Sequence, residues 1–355
     1  MKIAQISPLY EAVPPRLYGG TERVVAHLCD ALVEAGHEVT LFATADADTR
    51  AELAPVRAGA IRLDRAGFAS ATANLAAHLS LMHEVRRRAD EFDLLHFHVD
   101  LLHFPFFEDC AGRTLTTLHG RLDHPDMAPA YKRWPGYPLV SISDHQRRPL
   151  PRAHWLGTVY HGLPPDLLAC TPRPAGGYLA FLGRISPEKR VDRAIEIARR
   201  AGYPLRIAAK VDRADREYFH DTIEPLLDAP GIEFVGEIGD ADKAEFLGQA
   251  DALLFPIDWP EPFGLVMIEA MACGTPVIAW NCGSVPEVID EGVTGAVVDS
   301  IDAAVAAVRD LRAFDRERVR AVFERRFSAA AMAHDYLDLY ARLAGRDGRP
   351  LRLSA

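Results

Sequence analysis

Residues 259–274 read WPEPFGLVMIEAMACG, and the rest of the chain is organised around them. Pro262 and Gly264 suit a junction from loop to helix, and 265–273 is good helix-forming sequence. Gly274 falls where a left-handed C-terminal cap belongs, and Pro276 prevents the helix from continuing. The free N–H groups expected at Gly264, Leu265 and Val266 would form an anion site. Glu261 would enter that site from the loop and Glu269 from the second turn of the helix. Carboxylates beside an anion site repel phosphate, so these two are expected to take sugar hydroxyls. The plainer reading is a buried helix with two solvated glutamates, but caps, glycines and acids all agree on a site.

Working outward, 355 residues suffice for two domains, and an apolar fraction of 49% supplies core material for both. A net charge of −10 argues against nucleic acid as the main partner. The five cysteines (Cys29, Cys110, Cys170, Cys273, Cys282) are scattered without a CxxC, which fits a reducing compartment. The opening MKIAQISPLY is not a signal peptide, and no apolar run reaches membrane-spanning length. A cytoplasmic two-domain protein is expected.

In the first half, a strand over 2–7, a loop ending at Gly19-Gly20, an apolar helix to Gly36 and a strand over 39–43 form a βαβ unit. Its Gly-Gly turn would let backbone N–H groups approach a phosphate, although a simple tight turn reads equally well. The dinucleotide fingerprint G-x-G-x-x-G is absent, which disfavours a nicotinamide enzyme. Further strands are expected over 93–99, 114–118 and 139–142, with a helix starting at Ser143-Asp144. In HFHVD, residues 96–100, His96, His98 and Asp100 share one strand face at metal-ligand spacing, so a metallohydrolase is a rival reading. His119 closes a strand where a parallel sheet places its ligand-facing loops, and could meet a substrate hydroxyl or phosphate. Lys132, Arg133, Arg147, Arg148 and Arg152 give the following loop-rich segment a local basic excess, which suits an anionic or interfacial acceptor, although a solvated face is the plainer reading.

The run LPPDLLACTPRPAGG, residues 163–177, reads as a linker. It separates an N-terminal domain over 1–165 from a C-terminal domain over 178–327, with 166–177 as the linker proper. Strands over 178–182, 205–209, 233–235, 252–255, 277–279 and 296–298 alternate with helices in the second half, so the fold class is α/β with two Rossmann-like domains. Arg184 and Lys189 in GRISPEKR would suit a diphosphate, each contributing on the order of 4 kcal/mol at ~4 Å and an effective dielectric of ~20 before desolvation. A salt-bridged surface loop is the competing reading. Arg190 and Arg193 read as surface helix residues, and the acid pairs Asp46/Asp48 and Asp240/Asp242 as loop residues. A last amphipathic helix over 328–345 carries Met332, Tyr336, Leu339, Tyr340 and Leu343 as one stripe, suited to packing back onto the first domain.

GGTERV near the start, FLGRISPEK after the linker and PEPFGLVMIEAMACGTPVIAWNCGSVPEVI late in the chain resemble the family-4 (group 1) retaining glycosyltransferases. The resemblance implies a GT-B fold, two domains facing a central cleft, and metal-independent transfer from a nucleoside diphosphate sugar, uridine diphosphate favoured. No cofactor or metal is expected. By the same resemblance, Arg184 and Lys189 hold the diphosphate, Glu261 the sugar hydroxyls and Glu269 the ribose. Phe263, Gly264, Leu265 and Val266 line the helix start, and Gly236, Glu237 and Ile238 lie near the base. Gly19 and Gly20 lie against the phosphates, and His119 near sugar and acceptor. The acceptor is expected to be a glycan, a lipid-linked molecule or a small molecule, with peripheral contact to the inner membrane face through the N-terminal domain. A GT-B epimerase or phosphorylase stays open as an alternative. Three positions depart from the family pattern: His161 stands where asparagine is usual, Arg190 where glycine is, and Ser284 follows Gly283 in place of a second glycine.

Overall fold

Strands that are apolar on both faces need cover on both, which favours inner strands of a parallel sheet with helices packed on either side. The computed structural model describes residues 1–16, 19–64 and 70–346. It divides into two units, residues 1–162 together with the segment from Ala329, and residues 163–328.

The first unit carries a seven-stranded sheet of β1 (Lys2–Ile6), β2 (Glu38–Thr44), β3 (Glu52–Arg57), β4 (Leu94–Phe97), β5 (Thr114–Thr117), β6 (Leu139–Ser141) and β7 (Trp155–Thr158). Its strand order is β3-β2-β1-β4-β5-β6-β7, and every pair is parallel. Helices α1 (Gly20–Glu34), α2 (Ala71–Arg88) and α3 (Met127–Arg133) connect the strands. The helix expected at Ser143 is only a short 3₁₀ turn, His145–Arg147. Pro149 and Pro151 block its extension.

The second unit carries β8 (Leu179–Arg184), β9 (Leu205–Lys210), β10 (Ile232–Gly236), β11 (Ala252–Phe255), β12 (Val277–Trp280) and β13 (Gly295–Val298) in the order β10-β9-β8-β11-β12-β13. Its main helices are α4 (Val191–Ala201), α5 (Asp240–Gly248), α6 (Leu265–Ala272), α7 (Ile301–Arg309) and α8 (Arg316–Arg326). Asp240 and Asp242, expected in a loop, form the first turn of α5, where acids favour the helix dipole.

The last helix, α9 (Ala329–Arg346), belongs to the first unit and packs against α1. The stripe Met332, Tyr336, Leu339, Tyr340 and Leu343 is buried throughout. Residues 163–177, read from their prolines as a linker, are held along much of their length. Arg316 donates to the Thr171 carbonyl at 2.7 Å and Arg320 to those of Leu168 and Pro165 at 2.9 and 2.6 Å. Among the described residues, no helix is long and apolar enough to cross a membrane.

Candidate functional site

In each sheet the strand order reverses once, between β1 and β4 in the first and between β8 and β11 in the second. Loops leaving the carboxyl ends of the two strands at such a reversal diverge and leave a crevice. Arg184 is the last residue of β8 and the loop after it carries Ile185 to Arg190, while the loop after β11 carries Trp259 to Gly264.

These two loops are fastened together. The Asp258 N–H donates to the Glu188 carbonyl at 2.8 Å, and the Lys189 ammonium pairs with the Glu261 carboxylate. Lys189 lies 4.9 Å from the Trp259 ring centroid, and its side chain is 17% exposed against 12% for Glu261. This is a mostly buried pair that an aromatic wall helps to shield from water. Arg184 is more open and faces three acids: Glu188 at 2.7 Å, Asp212 at 3.6 Å and Asp215 at 3.8 Å. The sequence reading counted the two cations and not these carboxylates.

Arg190 and Arg193 are not the surface residues expected. Arg190 takes up left-handed backbone (φ 55°) at the start of α4. Its guanidinium reaches Asp192 and Asp258, both at 2.8 Å. Those ion pairs offset a backbone strain of roughly 1–2 kcal/mol that glycine would not incur. Arg193 lies 4.1 Å over the Trp280 ring and donates to the Pro256 carbonyl at 3.0 Å. Together they pin the start of the loop that presents Glu261.

The same loop is closed from its other side. Gly283 has φ +60°, and a methyl group there would lie 2.5 Å from the Glu261 carbonyl oxygen and 2.9 Å from the Pro260 carbonyl carbon. Ser284 donates from its backbone N to the Glu261 carbonyl at 3.0 Å and from its hydroxyl to the Phe263 carbonyl at 2.7 Å. Gly283→Ala is therefore expected to cost about 2–4 kcal/mol, from left-handed strain and overpacking. Chemical unfolding of the second unit checks this; a loss below about 1 kcal/mol would mean that the loop yields easily.

Gly264 (φ +82°) and Gly274 (φ +76°) bracket α6 in the left-handed conformations their sequence positions imply. The first N–H groups of α6 have no intrahelical acceptor by geometry and start at Leu265 and Val266. Glu269 is buried, and the Lys243 ammonium lies 2.8 Å from its Oε1 and 3.2 Å from Asp240. Sequence reasoning missed Lys243, which follows the acids of a segment read as loop. Gly236 (φ +79°) ends the edge strand β10 at an irregular register, with Glu237 exposed and Ile238 half-buried beyond it.

In the first unit, Gly19 is the N-cap of α1 in extended backbone, and a methyl group there would strike Pro15 at 2.8 Å. Gly20 opens α1. His119 lies two residues beyond β5. Its Nε2 meets His98 Nδ1 at 2.8 Å and its ring stacks on His161 at 5.2 Å. Burial pushes the His119 ring down to about 3 and holds His96, His98 and His161 well below the ordinary imidazole range. All four rings are neutral at pH 7.

The histidines of HFHVD, whose spacing allowed a rival reading as metal ligands, are engaged in hydrogen bonds to other side chains. His96 spends its nitrogens on Tyr340 and Thr117, both at 2.8 Å, and His98 on His119 and Gln5, both at 2.8 Å. Asp100 lies beyond the end of β4 in left-handed backbone (φ 51°). Among the described residues, no group of three or more His, Cys, Asp or Glu side chains is placed to hold a metal ion.

Residues 18–184 match the family model described as Glycosyltransferase Family 4, and residues 174–324 the one described as Glycosyl transferases group 1. A glycogen synthase of Mycobacterium tuberculosis is 27% identical over 380 residues, covering 92% of this chain and 90% of the relative. Among solved structures, AviGT4, a glycosyltransferase involved in avilamycin A biosynthesis, aligns with a TM-score of 0.74 over 97% of this chain and 98% of that one, at 24% identity. HepE of Anabaena in complex with UDP-glucose aligns with a TM-score of 0.71 over 96% and 100%, at 18% identity. At these identities the structural likeness is one of fold, and that fold is GT-B.

Proposed function

The chain belongs to the group 1 glycosyltransferases, and from the two fastened loops we propose that it moves a sugar from a nucleoside diphosphate sugar, without a metal and with retention at the anomeric carbon. The observation that carries this reading is the ion pair between Lys189 and Glu261 beside Arg184, where β8 and β11 diverge. Uridine diphosphate is the favoured leaving group, supported by the UDP-glucose bound in the structurally similar HepE.

On binding, the diphosphate takes Arg184 from Glu188 and Lys189 from Glu261. Glu261, released, accepts hydrogen bonds from the donor sugar's hydroxyls. Glu269, held in place by its ion pair with Lys243, accepts those of the ribose. The N–H groups at Gly264, Leu265 and Val266 complete the phosphate cradle, with Phe263 beside them. Gly236, Glu237 and Ile238 flank the base. As the bond from the anomeric carbon to phosphate oxygen breaks, negative charge gathers on the diphosphate. Fixed cations and N–H dipoles favour that state over the ground state. The acceptor oxygen attacks from the same face, and its proton passes to the departing phosphate oxygen.

Incubation with uridine, guanosine and adenosine diphosphate sugars, following release of free nucleotide, tests this. One donor class is expected to release its diphosphate; an epimerised nucleotide sugar with no release would replace the transferase reading. Lys243→Met is expected to raise the Kd for the free nucleoside diphosphate about tenfold or more, because Glu269 loses the charged hydrogen bond that fixes its carboxylate. Titration calorimetry checks it, and unchanged affinity would remove Glu269 from the ribose.

A further inference from the structure

Strands β8 and β9 run in parallel, and their register sets Arg184 directly beside Lys210 at the carboxyl ends of both. Like charges so placed on neighbouring strands repel. Asp212, two residues beyond β9, bridges them. Its Oδ1 lies 3.0 Å from the Lys210 ammonium and its Oδ2 3.6 Å from Arg184 Nη1. The same connection brings Asp215 to 3.8 Å from Arg184 Nε, and Glu188 lies 2.7 Å from Nη2.

These acids are not equivalent. Asp212 is braced by a second cation, so drawing it off Arg184 would also disturb its pair with Lys210. Glu188 meets Arg184 from four residues along the same loop, and its side chain is 31% exposed. Its backbone is fixed, because the Glu188 carbonyl accepts the Asp258 N–H at 2.8 Å, so turning the side chain into water is enough to free the guanidinium. The charges require such a step. Arg184 and Lys210 stand against Glu188, Asp212 and Asp215, two cations to three carboxylates, while Lys189 and Glu261 cancel. A cluster with an excess negative charge repels a diphosphate until one acid leaves.

We propose that the acids around Arg184 have separate duties: Glu188 is a stand-in that occupies the guanidinium until the diphosphate arrives, and Asp212, braced by Lys210, is a positioning residue that holds it throughout. This rests on Arg184 meeting the diphosphate. Affinity and turnover then answer to different carboxylates. A stand-in bound about nine-tenths of the time weakens the apparent affinity about tenfold. Loss of the brace misaligns a group that stabilises developing charge, and that loss falls on kcat.

Calorimetric titration of uridine, guanosine and adenosine diphosphates, beside kcat for nucleotide release from the corresponding sugars, tests both halves. Glu188→Gln is expected to bind the diphosphate that wild type prefers about tenfold more tightly; an unchanged or weaker affinity would overturn the proposal. Asp212→Asn should lower kcat about tenfold or more while its Kd moves by less than about threefold, and an unchanged kcat would overturn the positioning role. Lys210→Met should lower kcat too, and the double variant should be no slower than Asp212→Asn, since both act through one guanidinium. Losses that multiply in the double variant, or a Kd raised about tenfold by Lys210→Met alone, would make Lys210 a phosphate ligand and overturn its bracing role. If a thermal melt shows that Asp212→Asn fails to fold, Lys210→Met carries the kcat test. Arg184→Ala that binds the diphosphate as tightly as wild type would remove the underlying reading, and the proposal with it.

Discussion

Replacing Arg184 by alanine is expected to lower kcat by about 10²–10³, the scale seen when a preorganised charge-stabilising group is lost, with little effect on folding. The guanidinium is 33% exposed and each of its three acid partners retains solvent contact. Ion pairs so open to water contribute at most about 1 kcal/mol. In the proposed transfer its value for catalysis is greater, because charge would develop on the diphosphate only as the bond breaks. Lys189→Ala is a less clean test. It would leave Glu261 buried without its cation, and breaking such a pair costs about 3–5 kcal/mol whatever happens to turnover. Nucleotide release at saturating donor, beside a thermal melt, separates the two effects for Arg184. A large fall in melting temperature with kcat preserved would make Arg184 a purely structural ion-pair residue.

The first unit is expected to lose stability steeply just below neutral pH. His96, His98, His119 and His161 all have folded pKa values below the ordinary imidazole value near 6.5. The native state therefore binds fewer protons than the unfolded chain. Their contribution is fully present above pH 6.5 and is lost as the pH falls below it, toward the folded value, about 3 for His119. Burial holds His103 in the same unit well below the ordinary imidazole range as well, so it adds to the loss in the same direction. Trp134 and Trp155 lie in the first unit and Trp259 and Trp280 in the second, so single-tryptophan variants can follow urea unfolding of each unit. His161→Asn, which installs the residue usual in the family, should make the pH dependence of the first unit shallower. A first unit equally stable at pH 7.5 and 5.5 would mean that the rings ionise freely in the folded state.

The helix and strand pattern was legible because its signals are local. Gly264, Gly274 and Pro276 announce α6 within a dozen residues, and the helix over 191–201 is bounded by signals on its own stretch. Where local sequence misled, distant residues had decided. Nothing near Glu269 points to Lys243 on another helix, and nothing near Gly283 shows that it abuts Glu261. Arg193 has the spacing of a solvated helix residue, and only the fold sets Trp280 beneath it. The HFHVD histidines were visible as a polar strand face, but the partners that engage them, Tyr340 and Gln5, come from α9 and β1. A metal site and a buried hydrogen-bond run share that local pattern, and long-range contacts distinguish them.

The central claim is that two side-chain cations, drawn from Glu188 and Glu261, replace a metal at the donor diphosphate. It is tested most directly by calorimetric titration of uridine diphosphate, with guanosine and adenosine diphosphates for comparison, into wild-type enzyme in excess chelator. Saturable binding to one of them is predicted, unchanged by the chelator and weakened at least tenfold in Arg184→Ala. Binding that disappears with the chelator and returns with magnesium or manganese would contradict it.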